Sequence, residues 1–173
     1  MRKIAVAGLV LFVACAAHRA GAPSTPPSYG AAAPGGAAAR LATFFGATQG
    51  ERTVMASEAK ASLAEGKYFI LDVRPAKDYA QGHIPGALNI PVDRLFAADS
   101  LALLPPPGGK PILLVCRTGH TASMALGGLV ALGYEPWVLR WSMLAWNARS
   151  EVRIASPHEA PQPLVGLGGP LER

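Results

Sequence analysis

The stretch PILLVCRTGHTASMALGGLVALG, residues 111–133, constrains the fold more than any other part of the chain. Its apolar run at residues 112–115 predicts a short strand buried on both faces of a sheet. A helical pattern covers residues 121–132, and Gly133 stands where a glycine commonly ends a helix. Cys116 and four residues that include Gly119 lie between the two patterns. The stretch therefore predicts a strand, a tight loop and a helix in direct succession.

This succession makes Cys116 a candidate nucleophile. It places the sulfur near a helix N-terminus, where backbone N–H groups converge and bind anions. Such a setting favours the thiolate, which is the reactive form of cysteine. The alternative is that Cys116 only packs at the end of a strand, because free cysteines are among the most buried residues. Residues 111–133 alone support both interpretations equally.

The neighbouring segments predict a parallel α/β domain. Further strands are predicted at residues 54–55, 68–73, 88–90 and 137–139. Helical segments are predicted at residues 58–65, with Ser57 as N-cap and Gly66 at the C-terminus, and at residues 78–81, 92–98, 100–104 and 142–149. Strands that alternate with helices are typical of a parallel sheet with helices on both faces.

The N-terminus has the features of a targeting segment. Arg2 and Lys3 precede an apolar run that is too short to span a bilayer, so residues 1–14 are predicted to be a signal peptide. The sequence LFVAC that ends at Cys15 is similar to the lipobox of bacterial lipoproteins, although Phe12 stands where leucine is usual. An ordinary signal peptide that is cleaved after Ala22 is the alternative.

The lipobox resemblance implies that Cys15 is acylated and anchors the protein to a membrane. We therefore expect a cell-envelope lipoprotein that faces the periplasm. The residue after Cys15 is Ala16 and not aspartate, which by similarity to the sorting rule of enteric bacteria favours the outer membrane. Cys15 and Cys116 are not expected to form a disulfide.

Composition divides the rest of the chain. Residues 15–47 are rich in alanine, glycine and proline and predict a flexible tether. An ordered domain is predicted at residues 48–150 and an irregular tail at residues 151–173. The 16 Lys and Arg residues against 11 Asp and Glu form no basic run, which argues against nucleic-acid binding. The four histidines show no ligand spacing, so we expect no metal and no cofactor. We expect a monomer.

Three segments resemble the rhodanese family. They are LDVR with DY and GHIPGALNIP at residues 71–91, the cysteine loop with its flanking strand and helix at residues 112–123, and LRWSMLAW at residues 139–146. The resemblance covers about residues 48–150. It implies a single-domain, rhodanese-like parallel sheet flanked by helices on both faces.

The resemblance also implies a sulfurtransferase. Cys116 would take a sulfane sulfur from a small anion such as thiosulfate, hold it as a persulfide, and pass it to cyanide or to a thiol, including the thiol of an acceptor protein. Six residues after the nucleophile would bind the anion: Arg117, Thr118, Gly119, His120, Thr121 and Ala122. Because Asp72 and Arg74 lie at a strand end, we expect them to support the site as a buried ion pair, with roles as acid and cation as the alternative; His83 is expected to be a hydrogen-bonded scaffold residue rather than a base.

Two departures from the family pattern bear on activity. Thr121 stands where many members have an arginine, which implies weaker anion binding, and Arg140-Trp141-Ser142 replaces a common Glu-Gly-Gly. Related phosphatases have a loop one residue longer than the six residues from Cys116 to Thr121, so the loop length favours sulfur over phosphate. A catalytically silent module that binds an anion or a protein through the same loop is the alternative function.

Overall fold

The computed structural model describes residues 35–48, 52–147, 153–156, 159–163 and 166–173. The predicted signal peptide, Cys15 and most of the predicted tether lie outside these residues. No helix in the described ranges has the length and apolar character that a membrane span requires.

The main structure is a parallel sheet of five strands. The strands are β1 (Thr53–Val54), β2 (Phe69–Asp72), β3 (Leu88–Asn89), β4 (Ile112–Val115) and β5 (Pro136–Leu139). Their order is β1-β5-β4-β2-β3, so β4 occupies the centre. The prediction for β4 is confirmed residue for residue, and the other strands lie within one residue of their predicted bounds.

Helices cover both faces of this sheet. They are α1 (Ala37–Thr48), α2 (Ala56–Ser62), α3 (Ala76–Tyr79), α4 (Ala98–Leu101), α5 (His120–Ala131) and α6 (Ser142–Trp146). Successive β4 side chains alternate between two cores, because side chains in a strand point to opposite faces. Ile112 and Leu114 pack with α5, and Leu113 and Val115 pack with α2 and α6. The predicted fold class, a parallel α/β sheet flanked on both faces, is confirmed.

The helix α5 follows the cysteine loop and ends as its glycine predicts. Gly133 has a φ of +90°. The N–H of Gly133 donates to Val130 O at 2.9 Å, and the N–H of Tyr134 donates to Leu129 O at 3.0 Å. These two bonds form the Schellman motif, which satisfies carbonyls that the helix end leaves free. The helix begins and ends one residue earlier than predicted.

Several helix predictions on the N-terminal side of the cysteine loop are wrong in detail, and α3 and α4 each begin two residues before their predicted start. The helix α2 begins at Ala56 with Met55 as its N-cap, so Ser57 lies inside the helix. The extended backbone of Met55, at φ −71° and ψ 149°, lets the chain turn directly from β1 into the helix. Residues 92–96 form successive turns instead of the helix predicted at residues 92–98, because the N–H groups of Arg94, Leu95 and Ala97 bond three residues back.

The predicted tether and the predicted irregular tail both contain regular structure. The helix α1 lies largely within residues 15–47, and its Leu41 and Phe44 pack against the core of which α5 forms part. The side chain of Arg40 caps the C-terminus of α5, because its Nη1 donates to Ala131 O at 2.9 Å. In the tail, β6 (Arg153–Ser156) and β7 (Glu159–Pro163) form an antiparallel pair.

Residues 166–173, here called the C-terminal segment, bind back onto the domain. The N–H of Leu167 donates to Ala145 O at 2.7 Å, and Trp146 Nε1 donates to Pro170 O at 2.9 Å. His83 and Glu172 exchange two backbone hydrogen bonds of 3.0 Å each. The segment therefore connects α6 with the Gly-His-Ile-Pro-Gly turn that precedes β3.

Candidate active site

The Cys116 sulfur lies at the carboxyl edge of the sheet. Cys116 directly follows the central strand β4, and its neighbours β2 and β5 end at the same edge because all three strands are parallel. In open α/β sheets this edge is the usual place for a ligand. Cys116 is a free thiol with a relative exposure of 3%. Its sulfur is thus held within the loop.

A backbone N–H of the loop points at this sulfur. The N–H of Gly119 donates to Cys116 Sγ with an N to S distance of 3.1 Å. Gly119 has a φ of +98° and is the N-cap of α5. A Cβ added there would lie 3.7 Å from Trp141 N, which is ordinary contact, so the backbone conformation rather than space requires glycine. The loop turns at Gly119 so that its N–H and the N-terminus of α5 face the sulfur.

Ser142 is a second partner of the sulfur that the sequence did not identify. Its Oγ accepts the N–H of Cys116 at 3.0 Å and lies 3.7 Å from Cys116 Sγ. The same Oγ lies 3.3 Å from Leu139 O. Ser142 follows β5, the neighbour of β4, so the parallel order of the strands was the signal that could have placed it beside Cys116. That order was not available from the chain alone.

The first turn of α6 fixes the backbone of the loop. The N–H of Met143 donates to Cys116 O, and the N–H of Leu144 donates to Arg117 O, each at 3.2 Å. N–H groups in the first turn of a helix have no partner within the helix. The loop carbonyl of Cys116 supplies the partner of Met143, and that of Arg117 shares the N–H of Leu144 with Trp141 O at 3.1 Å, so α6 and the cysteine loop hold each other in place.

The rim of the loop is basic and open to solvent. Arg117, Thr118 and His120 are exposed, and Thr121 is half-buried. Within the described ranges neither Arg117 nor His120 forms an ion pair with a carboxylate. The rim therefore offers uncompensated positive charge to an approaching anion.

The two remaining residues of the predicted anion-binding set do not present side chains at the rim. Gly119 and Ala122 are buried, and Ala122 lies on the face of α5 that packs into the core. The exposed rim continues across the loop to Arg140 and to Trp141, whose side chain is 42% exposed. Of the six predicted residues, Gly119 contacts the sulfur through its N–H, and the other five flank Gly119 in the loop and in the first turn of α5.

Asp72 and Arg74 form a buried ion pair beside the site. Arg74 Nη2 lies 2.6 Å from Asp72 Oδ2, and Arg74 Nε donates to both carboxylate oxygens at 2.9 Å. Arg74 Nη2 also donates to Gly82 O at 2.9 Å, and Asn89 Nδ2 donates to the carbonyls of both ion-pair residues. Asp72 is paired in the sheet with Val115, the residue before Cys116. The pair ties the ends of β2 and β3 to the turn at Gly82.

His83 lies in a separate network that supports the fold. Its ring stacks on Tyr79 with centroids 3.7 Å apart, and its Nδ1 lies 3.2 Å from Tyr79 O. The Tyr79 hydroxyl donates to Ala87 O at 2.5 Å. Burial raises the pKa of Tyr79 above its usual value, and the negative charges of Asp72 and Glu172 add to the effect. This network orders the turn that leads into β3.

The described residues contain no group of three or more histidine, cysteine or carboxylate side chains that could hold a metal ion. The reactive group that the site presents is the Cys116 thiol. That thiol has hydrogen-bond donors from backbone and hydroxyl groups, and cationic side chains lie at the rim.

Curated relatives match over parts of the chain. The human thiosulfate:glutathione sulfurtransferase is 47% identical over 49 residues, which are 28% of this chain and 43% of the relative. The adenylyltransferase and sulfurtransferase UBA4 of Meyerozyma guilliermondii is 32% identical over 78 residues, which are 43% of this chain and 18% of the relative. The chain thus spans less than half the length of these relatives.

Solved structures and a family match agree on the type of domain. A rhodanese-like domain protein of Staphylococcus aureus superposes with a TM-score of 0.50 at 29% identity, over 55% of this chain and 90% of the other. The family model for the rhodanese-like domain matches residues 55–149, which include every strand of the parallel sheet from β2 to β5 and the Cys116 loop. The protein therefore belongs to the rhodanese-like domain family.

Proposed function

We propose that the protein is a sulfurtransferase that carries sulfane sulfur on Cys116. The observation that carries the proposal is the environment of the Cys116 sulfur, which accepts a 3.1 Å N–H donor from Gly119 at the N-terminus of α5. This setting stabilises a thiolate and an anionic persulfide with donors that are already in place. Relatives named sulfurtransferases support the same class of reaction.

The proposed first step loads the enzyme. The Cys116 thiolate attacks the outer sulfur of thiosulfate, a sulfur–sulfur bond forms, and the bond to the sulfonate sulfur breaks. Sulfite leaves with the bonding electron pair, and Cys116 remains as a persulfide anion. Arg117 and His120 at the exposed rim attract the donor, and the loop N–H groups hold its charge.

The proposed second step unloads the enzyme. A thiolate acceptor, or cyanide, attacks the outer sulfur of the persulfide, and the Cys116 thiolate leaves with the electron pair of the broken sulfur–sulfur bond. Because the Cys116 side chain is 3% exposed, the acceptor atom must reach into the loop. A small thiol or a thiol on a narrow segment of a protein fits this requirement.

Steady-state assays test this function. We expect sulfite release from thiosulfate in the presence of a thiol acceptor, and none from Cys116→Ser, which removes the nucleophile without adding bulk. Hydrolysis of an aryl phosphate by the wild type, without sulfite release, would support the phosphatase alternative. If neither activity is detected, the silent binding module is favoured, and the burial of Cys116 already fits that role.

We also propose that acylated Cys15 anchors this domain in the cell envelope, facing the periplasm, with the outer membrane as the expected site. The support is the sequence, in which a basic start and a short apolar run lead to Val13-Ala14-Cys15. Cys15→Ser should abolish palmitate labelling and membrane sedimentation, and Cys116→Ser should leave both unchanged. A processed, labelled Cys15→Ser protein in the membrane fraction would refute the anchor.

A further inference from the structure

Ser142 adopts a backbone conformation that is costly for serine. Its φ is +46°, and the preceding Trp141 has a φ of +59°. These are the only residues other than glycine with positive φ in the described part of the chain. A glycine would adopt the same conformation without steric cost. Strain of this kind persists where the surrounding structure enforces it, and it often marks a functional position.

The serine hydroxyl is completely buried against the nucleophile. Ser142 has a relative exposure of 0%. Its Oγ accepts the Cys116 N–H at 3.0 Å, and it can donate to Leu139 O at 3.3 Å or to Cys116 Sγ at 3.7 Å. A hydroxyl has one proton, so it can serve only one of these two acceptors at a time. The choice between them depends on the charge of the sulfur.

We propose that Ser142 is a second catalytic residue, whose hydroxyl donates to the Cys116 thiolate. This proposal rests on the proposed sulfur transfer. When Cys116 is a thiolate, the Ser142 hydroxyl turns its hydrogen bond from Leu139 O to Sγ, because hydrogen bonds to charged acceptors are stronger than those to neutral ones. In the persulfide the charge resides on the outer sulfur, and the proton returns to Leu139 O. Ser142 therefore stabilises Cys116 most when it is a thiolate.

This difference assigns Ser142 to the second step. Attack on the outer sulfur breaks the sulfur–sulfur bond and releases the Cys116 thiolate as the leaving group. A donor that binds the thiolate more strongly than the persulfide stabilises the charge that develops on Sγ in the transition state. Binding of thiosulfate itself depends on the loop N–H groups and the rim, which Ser142 does not form.

The test uses two variants and a matched control. Ser142→Gly removes the hydroxyl and suits the positive φ, and Ser142→Ala removes the hydroxyl alone. The control is Ser123→Ala, which removes a hydroxyl that donates to Gly119 O and does not contact Cys116 Sγ. Gly119 O still accepts the backbone N–H of residue 123 at 2.9 Å. Each protein is loaded with a persulfide and then mixed with a thiol acceptor in a single turnover.

We expect transfer to the acceptor to slow by about tenfold in both Ser142 variants, the effect of losing one hydrogen bond to a charged group. In the Ser142 variants the KM for thiosulfate should stay within about twofold of the wild type. Ser123→Ala should match the wild type in the transfer rate and in the KM. A normal transfer rate in Ser142→Gly, or failure of both Ser142 variants to fold, would overturn the catalytic assignment.

Alkylation of Cys116 gives a readout that needs no sulfur donor. The pH profile of the alkylation rate should shift to higher pH in both Ser142 variants, since they lose a donor to the thiolate. The charged groups on the surrounding elements are the same in all proteins compared: Arg117 on the loop, His120 at the start of α5, Arg140 before α6, and the Asp72–Arg74 pair at the end of β2. An unshifted profile would mean that Ser142 holds the Cys116 N–H but does not act on the thiolate, which would overturn the proposal. If the profile shifts in the Ser142 variants but the wild type never forms a persulfide, the proposed sulfurtransferase function is refuted, and the contact between the Ser142 hydroxyl and the thiolate is not.

Discussion

At the scale of single residues, the site consists of one sulfur and the groups that can stabilise its charge. The Gly119 nitrogen lies 3.1 Å and the Ser142 hydroxyl oxygen 3.7 Å from Cys116 Sγ. The same hydroxyl accepts the backbone N–H of Cys116 at 3.0 Å. The basic side chains of Arg117 and His120 lie outward, in solvent. A charge on the sulfur would therefore be stabilised by fixed short-range donors, whereas the proposed role of the rim is to attract the anion.

Thr121 should limit the affinity for that anion. Thr121→Arg introduces a planar guanidinium that can bind two sulfonate oxygens, and such a charge-assisted contact is worth about 1.5–3 kcal/mol before solvent weakens it. We expect the KM for thiosulfate to fall several-fold, with little change in kcat. Thr121→Gln, which adds length without charge, is the control. Equal KM values in Thr121→Arg and Thr121→Gln would show that this position does not face the anion.

Tyr79 should make stability depend on pH in the alkaline range. Its raised pKa means that the folded state favours the neutral phenol, so the stability it contributes is present below the ordinary tyrosine pKa of about 10 and is lost as the pH rises through the raised value. Tyr79→Phe removes the hydrogen bond to Ala87 O and should cost about 1 kcal/mol at neutral pH. Urea unfolding should show this difference shrink above pH 10. A constant difference would refute the assigned cause.

The sequence predicted the residues of the loop but not the partner across the sheet. Cys116, Gly119 and the start of α5 are contiguous, so strand, glycine and helix signals were enough to place them together. Ser142 lies 26 residues further on, and its contact depends on β5 pairing with β4. The one local signal of positive φ is that Trp141 and Ser142 stand where the family commonly has two glycines, because serine itself seldom adopts such a φ.

At the scale of elements, the C-terminal segment holds α6 against the domain. Gly169 lies against the Trp146 indole, and a Cβ there would lie 2.3 Å from Trp146 Cε2. The N–H of Gly169 donates to Trp146 O at 2.9 Å. Because the first turn of α6 bonds the cysteine loop, contacts at its far end bear on the site.

Gly169→Ala should therefore loosen the domain. The added methyl group cannot fit without moving the buried Trp146 ring, and overpacking of this kind costs about 1–3 kcal/mol. Gly46→Ala is the control, because Gly46 lies inside α1 with nothing within 4 Å of an added Cβ, and alanine there should stabilise the helix by about 1 kcal/mol. Unfolding midpoints measure both. An unchanged midpoint in Gly169→Ala would contradict the packing of the C-terminal segment.

Elements with strong local signals were predicted well, and those that depend on docking were not. The buried run of β4 and the glycine at the end of α5 determine those bounds almost alone. The helix α1 is rich in alanine, with no capping residue that separates it from the predicted tether, and it is stabilised by contact with α5. The pair β6 and β7 has weak periodicity, so its pairing was not visible in the sequence.

At the scale of the whole molecule, parallel strand order brings distant segments to one edge. The ends of β2, β4 and β5 carry the Asp72–Arg74 pair, the cysteine loop and Ser142, respectively. Two buried clusters on opposite faces of the sheet keep these strand ends in place. The family follows from this arrangement and the match at residues 55–149, whereas the sulfur donor and acceptor depend on rim residues that composition does not reveal.

Intact-mass measurement after incubation with thiosulfate tests the central claim most directly. The claim predicts that the wild type gains one sulfur atom, that a thiol acceptor removes it, and that Cys116→Ser gains none. A polysulfide donor serves as a second source of sulfane sulfur. A wild-type protein that stays unmodified with both donors, while it remains folded with a free Cys116, would contradict the sulfurtransferase account.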